Sequence, residues 1–68
     1  MFRVIKRDKR GEILSNKTFK DEHKASDYFV KAIIKAVGHL DEVTWGDIRA
    51  NDNFFVHREG SIQFFNKE

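Results

Sequence analysis

Ala25, Tyr28, Phe29, Ala32, Ile33, Ala36 and Val37 recur at i, i+3, i+4 and i+7 intervals. That spacing lines one side of an α-helix and suits neither a strand nor a loop. The helix should run from Asp21 to Val37, capped by Thr18 or Asp21, with Asp21 and Glu22 near its positive N-terminal dipole. Gly38 is placed to end it in the left-handed conformation, with Leu40 folding back in an apolar contact. Val30 and Ile34 widen the stripe, while Lys24, Asp27, Lys31 and Lys35 form the outer face. A helix with one apolar side needs a second apolar surface, and the rest of the chain must supply it.

Both flanking regions read as β-hairpins. "FRVIKR" and "EILSN" enclose "DKRG", a four-residue turn in which Gly11 can take positive φ. With Asp8 opposite Glu12, Val4 and Lys6 share a face with Leu14 and Asn16, and Ile5 and Arg7 share the other with Ile13 and Ser15. In "NDNFFVHREGSIQFF", a two-residue turn at Glu59 and Gly60 sets Phe55 opposite Phe64 and Phe54 opposite Phe65. Phe55, Ile62 and Phe64 then lie on one face, and Phe54, Val56 and Phe65 on the other. Between helix and second hairpin, "DEVTWGDIRAND" suits a short helix or turn, with Thr44 and Asp47 in a capping arrangement. The fold expected is α+β, a single domain over residues 1–68: one long amphipathic helix on an antiparallel sheet of two hairpins, in the order hairpin, helix, short connector, hairpin.

Sixty-eight residues without cysteine leave disulfides and thiolate zinc sites out of consideration. A single core of this size rarely supplies more than about 3 to 5 kcal/mol, so such domains commonly lean on a partner. No apolar run is long enough for a signal peptide or a membrane span, and a soluble, cytoplasmic protein is expected. The net charge of +2 conceals an asymmetry: residues 1–20 carry five more cations than anions, and residues 41–68 three more anions than cations.

Catalysis finds little support in the residues. His23 and Asp27 have an i, i+4 spacing that metal sites use, but two groups do not complete a site, and an exposed pair is the simpler reading. His39 suits the negative end of the helix dipole, and His57 a half-buried strand position. No nucleophile is paired with a base and no glycine-rich phosphate loop is present, so no catalytic residue, metal or cofactor is assigned. The cations Lys6, Arg7, Lys9 and Arg10 on the first ribbon are the candidates for contact with a polyanion or an acidic partner, against the ordinary role of charges on a solvated turn. Trp45 is either a core residue or an interface anchor.

One helix can cover one face of the second ribbon. The connector, through Val43, Trp45 and Ile48, can shield only part of the other. Phe54, Phe55, Phe64, Phe65 and Trp45 are therefore the candidate interface, and the expected function is non-catalytic protein binding. A homodimer or a larger protein target would cover the apolar surplus. Small regulators and inhibitors, including accessory proteins of phages and mobile elements, are the associated type. The alternative is nucleic-acid binding through the basic hairpin.

Overall fold

A computed structural model describes residues 1–66. The elements are β1 Phe2–Asp8, β2 Ile13–Phe19, α1 Glu22–Val37, α2 Glu42–Ala50, β3 Phe54–His57 and β4 Gly60–Asn66. The strands form one antiparallel sheet in the order β2-β1-β4-β3, so the first and last strands lie side by side at its centre. The α+β class expected from the sequence is the observed one, as a four-stranded sheet of two hairpins with two helices, ββααββ.

In α1 the N-cap is Asp21, whose side chain accepts from the His23 N–H at 2.8 Å, and Gly38 closes the helix at φ 90° with its N–H bonded to the Ile34 carbonyl. Ala25, Phe29, Ala32 and Ile33 are buried, whereas Ile34 and Val37 at the stripe's margins are exposed. The connector is a full helix of nine residues. Its cap is Asp41, which accepts from the Thr44 N–H at 2.7 Å, and not the Thr44 and Asp47 pair that the sequence suggested. Gly46 costs this helix about 1 kcal/mol relative to alanine, which the cap at Asp41 and the burial of Ile48 offset.

The helix ends in a loop that only short polar side chains make easily. Asn51 donates from its backbone N–H and its side chain to the Asp47 carbonyl, and Asp52 and Asn53 take φ 60° and 57°. Aspartate and asparagine tolerate that left-handed region better than other residues with a side chain. Asn53 then donates to Ile48 and accepts from the Phe64 N–H, which ties α2 to the last strand.

Both helices pack on one face of the sheet. Val4, Phe29, Ala32, Ile33, Ile48 and Ile62 form the buried cluster, with Phe19, Tyr28, Leu40, Trp45, Phe55 and Phe64 packed around it. Tyr28 meets Phe19 ring to ring at 5.4 Å, and Phe64 meets Phe29 at 5.6 Å.

Two registers differ from expectation. In the first hairpin an irregularity beside Lys6 and Arg7 moves the partners by one: Val4 faces Lys17 and Lys6 faces Ser15, while Arg7 still faces Ile13. Leu14 and Asn16 therefore do not share a row with Val4 and Lys6 as the plain hairpin would have it. In the second hairpin the turn is Arg58 and Glu59, since His57 pairs with Gly60, Phe55 with Ile62 and Phe54 with Gln63. Phe54 and Phe55 do not stand opposite Phe65 and Phe64. A slip of two residues preserves side-chain alternation, so the two facial sets of this ribbon are those expected.

Candidate functional site

Strand alternation fixes what the helix-free face carries. Val4 points into the core, so Arg3, Ile5 and Arg7 of β1 point away from it. Pairing on both sides then builds three rows across the sheet. Thr18, Arg3 and Phe65 make the first; Asn16, Ile5, Gln63 and Phe54 the second; Ile13, Arg7, Ser61 and Val56 the third. The rows contain two cations, no carboxylate and five large apolar side chains.

Exposure on this face is uneven. Ile13 is 52% exposed, Phe54 39% and Val56 66%, yet Ile5 is only 7% exposed although no helix lies over it. Ile5 sits at the centre of the face between Asn16 and Gln63. Arg3 and Arg7, two residues away on either side, have long apolar stems suited to lie along it. Phe65 is half-buried. The Arg3 Nε is shut off from solvent and has no acceptor among the described residues. The Arg7 Nη1 donates to the Gly11 carbonyl at 3.1 Å, within its own hairpin.

The five aromatic residues singled out in the sequence divide between the faces. Phe54 and Phe65 stand on the open one. Phe55 and Phe64 lie under the helices and Trp45 is carried by α2: Phe55 stacks on His57 at 5.8 Å, and Trp45 meets Phe29 at 6.0 Å with the Arg49 guanidinium 5.8 Å from its ring centre. The four cations divide as well. Lys6 is on the helix side and Arg7, by strand alternation, on the open face, although both border a cleft with Ala32 and Lys35 of α1. Lys9 and Arg10 are exposed on the turn, which Asp8 organises by accepting from the Arg10 and Glu12 N–H groups at 2.9 and 3.0 Å. They do not form a single basic stripe.

Arg3 and Ile5 belong to the open face without being part of any aromatic or basic cluster along the chain. Their signal was the alternation of β1 itself: once Val4 is committed to the helix, its two neighbours must face outward.

Elsewhere, Asp27 is occupied by Lys31 at 3.0 Å instead of joining His23. The His57 Nδ1 accepts from the Glu59 N–H at 3.3 Å, an interaction internal to the turn. No group of three histidine, cysteine or acidic side chains suited to a metal ion occurs among the described residues. A cleft of about 430 Å³ lies between the start of α1, α2 and β4, lined by Glu22, His23, Trp45 and Arg49 among others. No helix among the described residues is long and apolar enough to cross a membrane. The sequence matches no protein-family model, and neither a curated protein nor a solved structure matches the chain.

Proposed function

We propose that the chain is a small non-catalytic protein-binding module, a regulator or inhibitor of a larger protein, which docks through the helix-free face of its sheet. The observation that carries this reading is the placement of both helices on one side, with Ile13, Phe54 and Val56 left exposed on the other. Phe54 and Val56 on β3, with Phe65 on the neighbouring strand, make an apolar patch, and such a patch on a small domain generally marks an interaction site. The buried cluster beneath the helices needs none of these side chains, so they are free to serve recognition.

The test is capture from host lysate by the parent chain and by a Phe54→Ser, Val56→Ser, Phe65→Ser variant, each with and without nuclease. A protein retained by the parent after nuclease and lost by the variant is the expected result. Equal capture by both, or capture that nuclease abolishes, overturns the reading.

Nucleic-acid binding is the second reading, favoured by the exposure of Lys9 and Arg10 on a turn that Asp8 holds in place. It calls for a steep loss of affinity with salt, since each neutralised phosphate releases counterions.

A further inference from the structure

We infer that the occupant of the open face is an acidic amphipathic helix of another protein, held by Arg3 and Arg7 through carboxylates and by Ile5, Phe54, Val56 and Phe65 through an apolar stripe. This rests on the protein-binding reading and names the partner's chemistry.

Three observations carry it. First, the rows of the face hold two guanidinium groups and no carboxylate, and no acidic side chain among the described residues lies within ion-pair range of either. A second copy stacked on this face would bring arginines against arginines, and like charges juxtaposed across an interface oppose association. Second, the Arg3 Nε is already removed from water without an acceptor. Part of the desolvation cost of pairing Arg3 is thus borne in the free protein, and because the Nε itself is covered, an arriving carboxylate makes its charge-assisted contact with the Nη groups.

Third, the face presents side chains only. Its backbone groups are engaged in ladders across β1 and β4, so a segment lying on it must satisfy its own N–H and C=O groups. A helix does so, as α1 does on the opposite face. A helix about 10 Å across covers two strands at ~4.8 Å spacing, which matches the central pair carrying Arg3, Ile5, Arg7, Gln63 and Phe65. Arg3 and Arg7 are four residues apart on β1, roughly 13 Å along the strand, or between two and three helical turns. The central pair offers Ile5 and Phe65 between its arginines, and Phe54 and Val56 border it on β3, an apolar strip that suits leucine-like side chains better than stacked bases.

The experiment uses the whole chain, labelled for amide NMR. The probe is a helical peptide about 16 residues long, ~24 Å of helix, with leucines on one stripe and glutamates flanking it. Comparison probes carry lysine in place of glutamate, or are oligothymidine. The acidic peptide is expected to shift the amides of Ile5, Gln63 and Phe65. The Arg3→Gln, Arg7→Gln variant should bind it at least ~10-fold more weakly. If the double variant does not fold, Arg7→Gln alone carries the same direction of effect, because that side chain bonds only within its own turn.

Equal binding of acidic and basic peptides, or acidic binding untouched by the arginine variants, overturns the inference while leaving protein binding at the face intact. So does a concentration-dependent shift of the same amides without any probe, which would identify a second copy as the occupant. No shift of these amides under any condition also overturns the inference while leaving protein binding to the lysate capture, whereas shifts caused by oligothymidine alone overturn the protein-binding reading as well.

Discussion

Gly60 illustrates how one residue fixes a register. It is buried at φ 149°, where β4 passes between β1 and β3 and pairs with both Asp8 and His57. A Cβ there would collide with the Arg7 carbonyl group and come within 2.8 Å of the Asp8 carbonyl carbon. Only glycine fits both the backbone angle and the space. Gly60→Ala should therefore cost ~3 kcal/mol or more, from overpacking and backbone strain together, and a chemical-denaturation midpoint close to the parent's would refute this. The same residue explains why the second turn lies at Arg58 and Glu59 and not at Glu59 and Gly60. A glycine beside Glu59 looks like a turn position, but its need arises from β1, which is about fifty residues earlier in the chain. No local signal carries that information.

At the scale of elements, α1 was legible to within a residue because its apolar period and both of its caps are local features. For α2 the local signals conflicted: Val43, Thr44 and Trp45 favour a strand, Gly46 weakens a helix, and the decision falls to the cap at Asp41 and the burial of Ile48 in the core. The cap makes that helix sensitive to acid. The Thr44 backbone N–H, followed by the Thr44 hydroxyl, holds the Asp41 carboxyl below the ordinary aspartate value, and the charge of nearby His39 acts in the same direction. A carboxyl with a depressed folded pKa contributes stability that is fully present above its unfolded pKa and disappears as pH falls through the folded value. The loss belongs below about pH 4. Asp41→Asn keeps a capping oxygen but cannot ionise, so its thermal stability should fall less steeply than the parent's across that window. Superimposable acid profiles would show that the carboxylate's charge is immaterial.

For the whole molecule, the sheet's two faces should respond differently to mutation. Phe29 is 1% exposed within the cluster, and Phe29→Ala should destabilise by ~3 to 5 kcal/mol, enough to unfold a domain of this size. Phe54→Ser, on the open face and 39% exposed, should cost clearly less than Phe29→Ala and leave the domain folded. Comparable losses in the two variants would mean that the open face is part of the core. The sequence disclosed that this ribbon carries apolar residues on both sides, because alternation is local. It did not disclose which strands are central, and so gave no reason to look at Arg3 and Ile5. Strand order is set by the pairing of β1 with β4, running from Phe2 with Asn66 to Asp8 with Gly60. That pairing also imposes a temporal order on synthesis. The first hairpin and α1 can form from neighbouring residues as they leave the ribosome, but the inner edge of β1 has no partner until the last strand is made. Closing so long a loop is the step that contact order makes slow.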